Sequence, residues 1–108
     1  MSKYANRKTE VNGILFDSRK EAGRFRELCW LRNSGAISDL KLQVPYELVP
    51  AQKVNGKTVE RAVKYIADFV YTENGKTVVE DAKGYRTEVY KIKKKLMLWK
   101  YGIQIKEV

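Results

Sequence analysis

Two aspartates stand in the middle of apolar, strand-like segments in the stretch "YIADFVYTENGKTVVEDAKG" at residues 65–84. The segments flank Asn74-Gly75, a dipeptide typical of a two-residue turn between antiparallel strands. Counting back from this turn along both segments places Asp68 directly opposite Asp81. Like charges at opposing positions destabilise a hairpin, because the Cβ atoms are only about 5 Å apart. The spacing therefore predicts that the two acids have a function.

A divalent cation between the two carboxylates would remove this repulsion. Carboxylate oxygens on a rigid hairpin are hard ligands, which suit Mg²⁺ or Mn²⁺. Lys83 follows Asp81 by two residues, so it shares the same face and its ammonium group can approach the same site. By the same counting, a turn at Asn55-Gly56 places Gln43 opposite Asp68. The sequence thus predicts a polar row across the sheet.

The alternative interpretation is a pair of ordinary strand acids that face solvent. Ile66, Val70 and Val79 fall on the same predicted face as the acids. These apolar residues would then face solvent as well, which disfavours the alternative. Glu80 precedes Asp81 and points to the opposite face, so we leave it out of the predicted site.

A helix is predicted from about Ser18 to Asn33, before the strands. Ser18 and Glu21 have the spacing of a capping box, in which the acid satisfies the start of the helix. The apolar positions of this helix follow a 3.6-residue period and comprise Ala22, Phe25, Leu28 and Cys29. Glu21 borders this face and leans toward the sheet. It either completes a triad of acids or serves only as a cap, and the pattern leaves both open.

The remaining elements complete an α/β fold of order αβββαβ, with a mixed sheet flanked by two helices. Apolar residues alternate from Leu40 to Leu48, which predicts a strand with one apolar face. Pro45 and Pro50 cannot donate backbone hydrogen bonds, so we expect this strand at a sheet edge or broken by a bulge. A second helix is predicted from Thr87 to about Tyr101, and "GIQIKEV" rejoins the sheet. The apolar stripe of that helix comprises Val89, Ile92, Leu96 and Trp99, opposite Lys91, Lys94 and Lys95.

The charge of the chain favours a polyanionic partner. It has 22 Lys and Arg against 13 Asp and Glu, a formal net charge of +9, and DNA is the expected partner. A merely solubilising surface is the alternative. The absence of histidine and the single cysteine exclude the usual zinc sites, a histidine base and an internal disulfide. Since no apolar run is long enough to cross a bilayer, we expect a cytoplasmic protein without a membrane partner.

The arrangement of these residues resembles the motif of the PD-(D/E)XK phosphodiesterase superfamily. That motif has an acid in one strand, an acid-x-Lys in its hairpin partner and an acid on the preceding helix. The predicted element order resembles its restriction-endonuclease-like core. The chain looks like a family of small phage-encoded proteins of this superfamily. The similar segments are "FDSRKEAGRFRELCWLRNSGAISDLKLQVPYEL", "YIADFVY" and "VVEDAKG". Ala67 stands where a proline is usual, which leaves the carboxylate in place. Residues 1–13 are then a basic arm and the start of a short hairpin, and residues 14–108 a single nuclease-like domain.

The resemblance implies a Mg²⁺- or Mn²⁺-dependent DNA endonuclease, acting in the host cytoplasm if the chain is phage-encoded. It assigns metal binding to Asp68, Asp81, the backbone carbonyl of Ala82 and Glu21, directly or through water. It assigns catalysis to Glu21, Asp68, Asp81 and Lys83. The lysine would orient the attacking water or neutralise the developing negative charge.

Phosphate contacts are predicted beside this site. The candidates are Gln43, Arg86, Lys91, Lys94 and Lys95, although the lysines could equally form a solvated helix face. So small a domain has little room for base readout, which favours a structure-specific enzyme for junctions or recombination intermediates. The alternatives are a non-catalytic DNA-binding module and an adaptor in a phage replication or recombination complex. A symmetric homodimer would suit cleavage of two strands.

Overall fold

The computed structural model describes residues 8–82 and 86–108. Within these residues the chain forms two helices, α1 (Arg19–Asn33) and α2 (Glu88–Tyr101). Its strands in chain order are β1 (Thr9–Val11), β2 (Ile14–Phe16), β3 (Ser38–Val49), β4 (Gln52–Val54), β5 (Lys57–Glu60), β6 (Val63–Glu73), β7 (Lys76–Asp81) and β8 (Lys106–Glu107). Neither of these helices has the length and apolar character needed to cross a membrane.

A mixed sheet of order β3-β6-β7-β8 forms the centre of the fold. The β3-β6 and β6-β7 pairs are antiparallel, and β8 joins β7 in parallel after the chain crosses over through α2. Because α1 precedes β3, this arrangement confirms the predicted order αβββαβ. β3 lies at the edge of the sheet, as its prolines predict.

Asparagine-glycine turns join the hairpins β1-β2, β4-β5 and β6-β7. Asn12, Asn55 and Asn74 have φ values of 51°, 51° and 52°, and the glycine after each also has a positive φ. Two consecutive residues with positive φ form a type I′ turn, which matches the twist of antiparallel strands. The turn therefore imposes the predicted register on β6 and β7, which extends to the pair Phe69 and Glu80.

The first helix begins as its sequence predicts. The Ser18 hydroxyl accepts a hydrogen bond from the backbone N–H of Glu21 at 3.1 Å. The apolar side chains predicted to face the core are buried, and Phe25 stacks on Phe69 of β6 with ring centroids 6.4 Å apart. This packing holds α1 against one face of the sheet, with Glu21 buried in its first turn.

The two faces of the sheet carry separate apolar cores. Phe69 packs with Phe25 and other residues of α1, in what we call the α1 core. The next residue, Val70, packs with Met97 of α2, in the α2 core. Successive strand residues point to opposite faces, so the two helices cover opposite sides of the sheet.

Along β3 the apolar side chains change from one core to the other. Leu40 and Leu42 pack against the α1 core, whereas Val44 and Leu48 lie in the α2 core. The change occurs at Gln43, whose φ of 52° interrupts the extended backbone. The predicted single apolar face is therefore wrong, because one residue in the left-handed region shifts the alternation of all that follow.

The second helix has the predicted length but packs by a different face. Its stripe residues Val89, Ile92 and Trp99 are exposed, whereas Met97 is fully buried. Lys94 lies on the packed side instead, since its ammonium pairs with a carboxylate of β8 at 3.3 Å. The predicted orientation is wrong because a lysine can lay its apolar stem along the protein while its charged end finds a partner.

Candidate functional site

The two strand acids come together where the β6-β7 ladder ends. Phe69 and Glu80 form the last pair of this ladder; Asp68 precedes the first of them, Asp81 follows the second, and each acid is only 1% exposed. The Asp68 carboxylate accepts a hydrogen bond from the backbone N–H of Ala82 at 2.8 Å. Asp68 thus reaches across the hairpin to the residue beside Asp81. This placement agrees with the register predicted from the turn.

Tyr65 supplies a hydrogen-bond donor to this pair of acids. Its hydroxyl donates to Asp81 Oδ2 at 2.8 Å. Burial raises the pKa of the Tyr65 hydroxyl, and the negative charges of Asp81 and Asp68 raise it further. The hydroxyl therefore stays protonated and keeps donating. Tyr65 was not among the predicted site residues, because strict alternation puts it on the face opposite Asp68.

Gln43 joins the strand acids to the acid on the helix. Its Nε2 donates to Asp68 Oδ1 at 3.4 Å and to Glu21 Oε1 at 3.2 Å. The pairs on either side of Gln43 keep the register that predicted its position opposite Asp68. Glu21 is 5% exposed, so its carboxylate lies within the site while its backbone N–H bonds to the helix cap.

The donor set of this site suits Mg²⁺ or Mn²⁺ in chemistry, since it consists of carboxylate oxygens. Within residues 8–82 and 86–108, no three His, Cys, Asp or Glu side chains are grouped to hold a metal ion. The Gln43 side-chain amide instead lies between the carboxylates of Glu21 and Asp68 and donates a hydrogen bond to each. Binding of an ion between these two acids therefore requires the Gln43 amide to turn.

Replacing Gln43 with alanine tests this arrangement. We expect Gln43→Ala to lower the free energy of unfolding in EDTA by about 1–3 kcal/mol, because two buried carboxylates lose a shared donor. Mn²⁺ should then stabilise the variant more than the wild type, since the ion replaces the lost positive charge. Urea denaturation with EDTA and with Mn²⁺ measures both effects.

The matched control is Gln52→Ala, at an exposed position on β4. An exposed glutamine outside any buried network should change the free energy of unfolding by less than about 0.5 kcal/mol. Equal stability of Gln43→Ala and Gln52→Ala in EDTA would show that the amide does not hold the acids together.

Several basic residues predicted to contact DNA pair with acids of the same chain. Arg86 Nε and Lys94 Nζ lie 2.9 Å and 3.3 Å from Glu107 Oε2. Lys91 pairs with Glu88 one turn earlier on the exposed side of α2. Arg86 and Lys94 therefore help to dock β8 against α2, and their contact with DNA stays a prediction.

The remaining predicted lysines have different positions. Lys95 is exposed on α2. Lys83, the predicted catalytic lysine, lies outside the described residues. Lys93, which the sequence analysis did not single out, lines a cleft beside Asp81. The position of Lys93 beside Asp81 could not be predicted, because the helix was expected to pack by another face.

Glu80 is fully buried and takes part in a separate network on the α1 side of the sheet. Arg24 of α1 donates to both of its carboxylate oxygens, from Nε at 2.8 Å and from Nη2 at 2.6 Å. The Tyr71 hydroxyl donates to the same carboxylate. Hydrogen bonding to Glu80 raises the pKa of Arg24 above its ordinary value, so the guanidinium stays charged. Glu80 thus has a structural partner in Arg24, which the sequence pattern did not predict.

Two clefts reach the candidate site from different sides. One of about 340 Å³ is lined by Asp81 and Gln43 together with residues of β6 and α2. A smaller one of about 130 Å³ is lined by Glu21 and Gln43 together with residues of β2. Gln43 lines both clefts, so it lies between the acid of the helix and the acids of the hairpin.

Comparison with curated proteins finds no match, and comparison with solved structures finds none either. A family model described as "Protein of unknown function (DUF1064)" matches residues 1–107. That match spans nearly all of the 108 residues. The chain therefore belongs to the DUF1064 family.

Proposed function

We propose that this protein is a Mg²⁺- or Mn²⁺-dependent phosphodiesterase that cuts DNA. The observation that carries the proposal is a set of buried acids linked by hydrogen bonds, in which Gln43 donates to Glu21 and Asp68, and the N–H of Ala82, the residue next to Asp81, donates to Asp68. Buried carboxylates are costly unless positive charge compensates them, which a divalent ion supplies. The net charge of +9 supports a polyanionic substrate. The resemblance to PD-(D/E)XK enzymes, which place acids at these positions, supports the same reaction.

The residues of the site would divide the work as follows. Glu21, Asp68 and Asp81 would hold the ion through carboxylate oxygens once the Gln43 amide had turned, and the carbonyl of Ala82 would be a further ligand. Tyr65 orients Asp81 by donating to one of its oxygens. When bound, the ion neutralises charge on the scissile phosphate and lowers the pKa of a coordinated water. Lys83 keeps its predicted role of stabilising the negative charge that develops.

Cleavage assays with a panel of DNA structures test this function. Labelled single strands, linear duplexes, flaps and four-way junctions are incubated with purified protein in Mg²⁺, in Mn²⁺ or in EDTA. We expect cleavage with either ion, faster on the branched substrates, and none in EDTA. If folded protein leaves every substrate intact with both ions, the proposed activity is wrong.

A non-catalytic DNA-binding module is the second candidate. The contact of Gln43 with two carboxylates favours it, because the amide satisfies both acids without a metal. Such a protein binds DNA equally with and without divalent ions and cuts none. An adaptor for an acidic protein would instead show no specific DNA affinity in titrations at rising salt. Phage origin and a homodimer stay predictions from the sequence.

A further inference from the structure

The cleft beside Asp81 has the size of a small-ligand site. Its volume of about 340 Å³ lies at the lower end of the range of roughly 300–1,000 Å³ that is usual for such pockets. Asp81 lines this cleft and is only 1% exposed, so a phosphate must enter the cleft to approach its carboxylate. A continuous duplex is too wide to follow its phosphate into a space of this size.

The lining of the cleft is apolar and aromatic on two elements that face each other. Ile66 of β6 and Val89 of α2 line it and are 44% and 61% exposed, so their side chains are accessible to a ligand in the cleft. Tyr65 and Tyr90 line it as well, with ring centroids 6.2 Å apart. Aliphatic and aromatic walls of this kind suit the flat apolar face of a nucleobase.

Positive charge lies beside these walls. Lys93 lines the same cleft, and Thr87 places the start of α2 there. The first turn of a helix carries the positive end of its dipole, which favours a phosphate. The cleft therefore combines walls that suit a base with positive groups that suit a phosphate, and Asp81 of the candidate site also lines it.

We propose that this cleft takes one unpaired nucleotide, and that the protein acts on single-stranded segments of DNA such as flaps, ends and branch points. The inference rests on the proposed function and names its substrate class. A base inside a duplex is held by pairing and stacking, so entry into the cleft costs a few kcal/mol that an unpaired base does not lose. The preference for unpaired DNA follows from this difference.

Binding measurements with two matched variants test the inference. A short fluorescein-labelled strand and its duplex are titrated in EDTA with wild type, Val89→Glu and Ile92→Glu, and fluorescence anisotropy gives each Kd. Val89 and Ile92 are similarly exposed, at 61% and 58%, and lie on the same helix, but only Val89 lines the cleft. Both substitutions add the same charge to the same surface.

We expect wild type to bind the single strand about tenfold more tightly than the duplex, which corresponds to the stacking of one base. Val89→Glu should lose most of this preference, and Ile92→Glu should keep it. Ile66→Glu, on the facing wall, should lose the preference as Val89→Glu does. If Val89→Glu does not fold, Ile66→Glu tests the inference in its place. Equal affinity of wild type for both DNAs, or equal effects of the Val89 and Ile92 substitutions, would overturn the inference.

The outcomes also separate this inference from the proposed activity. If the protein cuts duplexes as readily as single strands and Val89→Glu changes neither rate, the inference fails and the nuclease proposal stands. If no DNA is cut but the strand preference depends on Val89, the nuclease proposal fails and the cleft remains a binding site for unpaired nucleotides.

Discussion

The Asp81→Asn variant is expected to lose DNA cleavage by about 10³-fold while it keeps its fold. Asparagine retains an oxygen that can accept the hydrogen bond from Tyr65, so the buried contact of 2.8 Å survives. The variant loses a negative charge that would hold the proposed divalent ion, and a loss of about 4 kcal/mol in transition-state stabilisation corresponds to about 10³-fold. DNA affinity should stay equal or increase, because a carboxylate near the phosphate is removed. Cleavage rates with Mn²⁺ and anisotropy in EDTA measure the two effects.

Asp39→Asn is the matched control for this substitution. Asp39 is exposed on β3 and has a φ of 54°, a left-handed conformation that asparagine also tolerates. Its replacement removes one negative charge from the same sheet and should leave the cleavage rate unchanged. Equal rates for Asp81→Asn and wild type would exclude Asp81 from the metal site, and calorimetric titration with Mn²⁺ would then show unchanged uptake.

The Arg24→Ala variant should lose about 3–5 kcal/mol in free energy of unfolding, which is a large part of the stability of a domain of this size. Arg24 donates two hydrogen bonds to Glu80, and Glu80 is fully buried. Removing the guanidinium leaves the buried Glu80 carboxylate without its charged partner, and the hydrogen bond from Tyr71 alone does not offset the cost of burying a charge. Urea denaturation followed by circular dichroism measures the loss.

Glu27→Ala is the control, because Glu27 pairs with the same arginine at 3.1 Å but its side chain is 67% exposed. Exposed ion pairs contribute about 0–1 kcal/mol, so this variant should remain close to wild type. The double variant Arg24→Leu/Glu80→Met removes both buried charges and should be more stable than Arg24→Ala. A double variant less stable than Arg24→Ala would show that packing, rather than the unpaired charge, causes the loss.

The parts of the fold that follow from local chemistry were predictable from the sequence. Asn74-Gly75 admits positive φ at both positions, so the turn type and the register of its hairpin follow without reference to the rest of the chain. Ser18 and the apolar period after it likewise locate α1. The proximity of Asp68 and Asp81 depends on that hairpin, which explains why their placement could be predicted from the turn.

The contacts that depend on packing between distant elements could not be predicted in the same way. The left-handed backbone of Gln43 has no local signal, because glutamine is not a residue that favours positive φ. The contact of Tyr65 with Asp81 likewise has no local signal, because it runs against the alternation of the strand. The partner of Glu80 lies 56 residues away in the chain, so no local pattern identifies it.

The irregular edge strand has a consequence for self-association. β3 shifts register near both of its ends, carries Pro45 and turns at Gln43. A strand approaching from solvent would therefore meet a broken row of donors and acceptors instead of a continuous template. The irregular edge therefore disfavours polymerisation by strand pairing at β3. The left-handed backbone of Gln43, whose amide contacts the acids, contributes to this protection.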